Sequence, residues 1–128
     1  MIAIVDYGVG NLFSLSSSVK SLGAEVRVTG RAEDLRAASH ILLPGVGAFA
    51  DAMAKLEATG LVPVLKEEVQ HKPLLGICLG MQLLFEKSYE YGEHAGLGLI
   101  PGAVCPLAED LKDPTLKVPH IGWNALDL

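Results

Sequence analysis

Short aliphatic runs with no polar position alternate along this chain with stretches whose apolar residues recur at helical spacing, and that alternation restricts it to a parallel sheet flanked by helices. Ile2-Ala3-Ile4-Val5 reads as a first strand covered on both faces, because nothing in it is polar. Glu25–Val28 alternates as a half-covered second strand, Ile41–Leu43 is a third that ends at Pro44, and Leu74–Ile77 is a fourth. Asn11 caps a helix whose inner face is Leu12, Leu15, Val19 and Leu22, with Gly23 closing it. Phe49, Met53 and Leu56 set the inner face of another, with Asp51, Lys55 and Glu57 toward water. Pro63 suits the first turn of a shorter helix through Leu61, Leu65 and Val69, and Met81, Leu84 and Phe85 mark one that starts directly after Cys78. Turns and short strands follow from Gly92 to Pro106, and Lys117–Asn124 reads as a strand and turn with no closing helix before Leu128. The expected fold is one α/β domain over residues 1–128, a doubly wound, mostly parallel sheet of flavodoxin-like type with helices on both faces, its C-terminal elements missing.

Composition narrows the function. With 128 residues, 50% hydrophobic and 20% charged, the chain builds one core and is not disordered. Ten basic against fifteen acidic residues leave a net charge of −5, which argues against a nucleic-acid partner, and 5% aromatics are too few for a base-stacking platform. Asp6 follows the first apolar run at once, so no secretory leader is expected. The longest apolar stretch, Ile41–Ala50, is about half a membrane crossing and is broken by Pro44, Gly45 and Gly47, so no membrane is expected either. Cys78 and Cys105 need not pair in a chain this apolar, which points to a reducing cytoplasm. The four histidines are scattered without metal-ligand spacing, and no metal or cofactor is expected. Tyr7-Gly8-Val9-Gly10 is not a dinucleotide loop: Phe13 stands where a third glycine or alanine belongs, and Thr29 rather than an acid follows Val28.

Chemistry concentrates at Gly76-Ile77-Cys78-Leu79-Gly80, a G-x-C-x-G between a buried strand and a helix. This is the nucleophile-elbow pattern with a thiol in place of the hydroxyl. Unpaired N–H groups at a helix N-terminus favour thiolate there, whereas a free cysteine with no such setting is simply a small buried hydrophobe. Cys105, without flanking glycines, fits the structural role. Pro44-Gly45-Val46-Gly47 closes the third strand at the sheet edge where ligands sit, and its N–H groups, with that of Leu79, suit an oxyanion hole for an acyl carbon attacked by Cys78.

Four stretches together resemble the class I, triad-type glutamine amidotransferases, and among them the branch that feeds imidazole glycerol phosphate synthesis in histidine biosynthesis. They are Val5-Asp6-Tyr7-Gly8-Val9-Gly10-Asn11-Leu12, Leu43-Pro44-Gly45-Val46-Gly47-Ala48-Phe49, the run from Gly76 through Cys78 to Phe85, and Pro119-His120-Ile121-Gly122-Trp123-Asn124. The resemblance implies hydrolysis of glutamine to glutamate and ammonia through a thioester on Cys78, with Val46 and Leu79 as oxyanion donors. It implies Gly45, Gly47, Gln82 and Glu90 as substrate contacts, and Asn11, Trp123 and Asn124 at the interface with a cyclase partner of (β/α)8-barrel type that uses the ammonia. Related enzymes generally carry Gly-Gly where this chain has Gly45-Val46, and a β-branched valine resists positive φ, so the oxyanion hole is expected to be incomplete in the free subunit.

Two departures stand out. Tyr91 is an extra residue after Ser88-Tyr89-Glu90, and the family's base, a histidine in a His-x-Glu segment, has no match: His40, His71, His94 and His120 are followed two positions on by Leu42, Pro73, Gly96 and Gly122. The expectation is therefore a fragment of a longer protein, or failing that a naturally short relative, inactive by itself. A non-catalytic flavodoxin-like binding module remains the alternative. Within the enzyme class the rival is the glutaminase of pyridoxal phosphate synthase, against which Pro-Gly-Val-Gly argues.

Overall fold

The computed structural model describes residues 1–128. Strands β1 (Ile2–Val5), β2 (Val26–Thr29), β3 (His40–Leu43) and β4 (Leu74–Gly76) run parallel in the order β2-β1-β3-β4. That is the order of the first four strands of a flavodoxin-like doubly wound sheet. Helices α1 (Leu12–Ser21), α2 (Ala32–Ala37) and the pair α3 (Phe49–Ala58) and α4 (Val62–Glu68) make the crossovers, and α5 (Leu79–Leu83) leads out of β4. A second, three-stranded sheet follows, with β5 (Phe85–Ser88) between β6 (His94–Ala95) and β7 (Ile100–Val104), and a last turn of helix, α6, covers Leu107–Asp110. No helix is long and apolar enough to cross a membrane.

Alternation along the strands decides the two faces. Ala3, Val5, Ile41 and Leu43 point to one side, where Phe49 and Leu56 of α3 and Leu65 of α4 meet them in one cluster. Each large side chain buried there contributes roughly 1.5–3 kcal/mol. Ile4 and Leu42 point to the other side, where α1 lies; α1 adds no residue to the main cluster. Lys72 ties the underside together, its Nζ donating to the Leu35 and Arg36 carbonyls at 2.9 Å each and pairing with Glu68 at 2.6 Å. The carboxyl ends of β1, β3 and β4 are left to carry the loops that form the site.

Most expected elements are present, and several details differ. The face of α1 is only half covered: Leu12, Leu15 and Val19 are partly buried, and Leu22 is the exposed C-cap residue. The second strand runs one residue later than Glu25–Val28. Met81 is exposed rather than inward, because α5 turns Leu79, Gly80 and Leu83 to the core. Phe85 belongs to β5, not to the helix, which ends after one turn and a half. Lys117–Asn124 forms no strand; the whole segment is exposed. Helix α2, unforeseen, is the crossover that lets β3 pair on the far side of β1 from β2.

Candidate active site

Cys78 stands at the turn between β4 and α5 with φ 57° and ψ −120°, one of two non-glycine residues with positive φ. Holding a side chain there costs on the order of 1–3 kcal/mol, and the surrounding contacts enforce it. A Cβ on Gly80 would fall 1.9 Å from the Leu43 carbonyl oxygen, and one on Gly76 would fall 2.6 Å from the Met81 Cα. Both glycines of the G-x-C-x-G are therefore required by close approach of backbone to backbone. The Ile77 N–H, donated to the Leu43 carbonyl at 3.0 Å, locks the turn to the end of β3. Cys78 is left exposed, and the Leu79 N–H beside it has no acceptor within the chain; Cys105, expected as a small buried hydrophobe, is exposed as well because it follows the last strand at the surface.

The loop after β3 lies against this turn. A Cβ on Gly45 would meet the Gly80 nitrogen at 2.7 Å, so the two loops touch through glycine backbone. Asn11, Pro44, Gly45, Val46, Ile77 and Cys78 line a cavity of about 270 Å³. A second cavity, about 330 Å³, lies between the Gly8–Gly10 loop and the first turns of α3; Val46 borders both. Val46 is 56% exposed and keeps a φ outside the left-handed region, while the left-handed step falls on Gly47 at φ 93°. None of the N–H groups of Gly45, Val46, Gly47 or Ala48 has an acceptor in the chain.

Two side chains hold this loop that sequence reasoning did not single out for it. The buried Tyr7 hydroxyl donates to the Pro44 carbonyl at 2.6 Å, and burial pushes its pKa up to about 12, so it remains a donor. The Phe49 N–H, the first of α3, donates to Glu90 Oε1 at 2.9 Å, and Glu90 is positioned in turn by its own N–H on the Ser88 hydroxyl at 3.1 Å. Both links join residues about forty positions apart, which no local pattern reveals.

The expected site residues separate into two groups. Cys78, Leu79, Gly45, Val46, Gly47 and Asn11 come together; Asn11 also caps α1, its Oδ1 accepting the Ser14 N–H at 3.1 Å. Gln82 lies one turn into α5 with a buried Oε1 that has no partner, the only such side-chain atom in the chain. Trp123 and Asn124 are not brought to the cavity: Trp123 is fully exposed, and Asn124 meets only His120, at 3.4 Å. No histidine reaches Cys78 either. His40 and His71 sit at the amino ends of β3 and β4, the opposite edge of the sheet, and His94 is engaged with the Tyr91 carbonyl at 3.0 Å. No group of three His, Cys, Asp or Glu side chains is placed to hold a metal ion.

Comparison with known proteins matches the sequence to one family. The chain is 53% identical over 126 residues to the imidazole glycerol phosphate synthase subunit HisH of Exiguobacterium sibiricum, covering 98% of the chain and 62% of that protein. Its identity to the protein of the same name in Sulfurimonas denitrificans is 49% over 127 residues, 98% and 61% of the two lengths. For HisH 1 of Campylobacter jejuni it is 48% over 130 residues, 100% and 63%. The chain thus spans about three-fifths of the length of the curated relatives it matches. The model of the class-I glutamine amidotransferases matches residues 3–125, the Cys78 turn and the Pro44–Gly47 loop included, and the chain belongs to that family.

Proposed function

We propose that this chain carries the nucleophile and oxyanion half of a glutaminase that releases ammonia from glutamine for a partner cyclase, of (β/α)8-barrel type, making imidazole glycerol phosphate in histidine biosynthesis. The observation that carries the reading is the exposed Cys78 at positive φ, flanked by the acceptor-free N–H of Leu79 and faced by a loop of four more acceptor-free N–H groups. The Cys78 sulfur attacks the side-chain carboxamide carbon of glutamine, and negative charge moves to the carbonyl oxygen. Leu79 N–H, with a loop N–H turned toward it, stabilises that oxyanion, and one such donor is worth roughly 10²–10³ in rate. Collapse expels ammonia and leaves a thioester, which water cleaves to glutamate. Gln82, with its orphaned Oε1, and the second carboxylate oxygen of Glu90, unpartnered within the chain, receive the polar groups of the substrate. The proton carried to ammonia needs a base, and none of the four histidines occupies that place. Two unpaired thiols fit a reducing, cytoplasmic setting, and exposed Trp123 fits a partner contact.

The test is Cys78→Ala in the full-length gene product assayed with its cyclase. Glutamine-dependent synthesis is lost while synthesis from added ammonia survives, because the cyclase does its own chemistry. Glutamine hydrolysis persisting in the alanine variant overturns the assignment.

A further inference from the structure

The loop with the acceptor-free N–H groups is pinned at both ends by side chains from distant parts of the chain. Tyr7 Oη holds the Pro44 carbonyl at 2.6 Å, and Glu90 Oε1 holds the Phe49 N–H at 2.9 Å. Between the pins lie only Gly45, Val46, Gly47 and Ala48. A trans peptide points its C=O and N–H in opposite directions, so fixing the Pro44 carbonyl also fixes the Gly45 N–H. The Gly45–Val46 peptide is then the first one free to turn. Tyr7 is 5% exposed and packed in the core, and a Cβ on Gly45 would lie 2.9 Å from its hydroxyl, so the phenol lies directly against the start of the loop. Its hydroxyl is spent on the Pro44 carbonyl, so it acts through the loop.

Building on the glutaminase reading, we infer that Tyr7 is a positioning residue: its bond to Pro44 anchors the oxyanion loop so that only the Gly45–Val46 peptide reorients toward the carbonyl oxygen. Loss of the bond leaves the buried Pro44 carbonyl without its partner and lets the anchored end drift, which weakens transition-state stabilisation while leaving glutamine binding intact.

The experiment is Tyr7→Phe in the full-length enzyme with its cyclase, with kcat and KM for glutamine measured separately and Cys78→Ala run beside it. The expected result is a fall in kcat of about tenfold with KM within about twofold of the parent. Site-specific 4-aminophenylalanine at position 7 keeps a donor in the same place and restores at least about a third of the lost rate. A kcat within about twofold of the parent, a loss that falls on KM, or no recovery with the amino analogue overturns the inference. Glutamine hydrolysis surviving in Cys78→Ala removes the glutaminase reading and this inference with it. Hydrolysis that depends on Cys78 but ignores Tyr7 removes the inference alone.

Discussion

Gly80→Ala tests whether the elbow is set by contact or by glycine's flexibility. The new Cβ falls 1.9 Å from the Leu43 carbonyl oxygen, 2.7 Å from the Leu43 carbonyl carbon and 2.9 Å from that of Pro44, whereas real Cβ atoms essentially never come within 3.0 Å. All three neighbours are backbone, so no side chain can swing away. The Leu43 oxygen also accepts the Ile77 N–H at 3.0 Å, and moving it strains the link between β3 and β4. Overpacking near the top of its usual range, ~3 kcal/mol, and a weakened hydrogen bond, ~1 kcal/mol, are offset by up to ~1 kcal/mol from the better helix propensity of alanine. The net cost is about 3 kcal/mol, and for a chain of this size a drop in Tm of about 10 °C. Gly47→Ala is the internal comparison: nothing lies within 4 Å of its Cβ, and only φ 93° resists it, at a cost of about 1–2 kcal/mol. Thermal unfolding followed by circular dichroism ranks the two. A Gly80→Ala protein melting within about 2 °C of the parent, or above Gly47→Ala, refutes the close-approach argument.

Three further outcomes follow from named contacts. Val46→Gly raises the basal glutaminase rate of the free full-length subunit and shrinks its activation by the cyclase, because glycine enters the conformation that valine resists; an unchanged basal rate counts against the turning peptide. Trp123→Ala leaves Tm unchanged, since the side chain is fully exposed, and weakens cyclase binding by about 2 kcal/mol in a titration; unaltered affinity rejects the interface role. Hydrogen bonds from the Thr29 hydroxyl and Arg27 hold the Asp34 carboxyl below its ordinary 3.8, so its stabilisation is present above that pH and lost as pH falls through the folded value. Asp34→Asn therefore flattens the acid limb of a Tm-against-pH curve, and an acid limb as steep as the parent's contradicts the pairing.

The two central strands were legible in the sequence because Ile2–Val5 and Ile41–Leu43 are short, wholly apolar runs, as a strand covered on both faces requires, while the edge strands were read from the alternation of Val26 and Val28 with polar neighbours and from the apolar run that ends at Gly76. Helix α2 was not, because Ala32–Ala37 buries a single residue, Leu35, and one position carries no period; its acidic first turn, Glu33 and Asp34, was the available signal. The spacing of Phe85 from Met81 is helical, yet tertiary pairing with Ile100 of β7 draws Phe85 into a strand. At the site, Cys78 and the glycines were readable as a local motif. The roles of Tyr7 and Glu90 in holding the loop were not, since each depends on a contact about forty residues away that only the fold creates.

The most direct test of the nucleophile assignment is chemical. Both cysteines are exposed, so accessibility alone labels Cys78 and Cys105 alike. A glutamine-analogue electrophile such as 6-diazo-5-oxo-norleucine, added to the full-length protein and followed by peptide mapping, is predicted to modify Cys78 and spare Cys105, with excess glutamine protecting Cys78. Equal modification of the two thiols, or labelling of Cys78 that glutamine does not slow, contradicts the account.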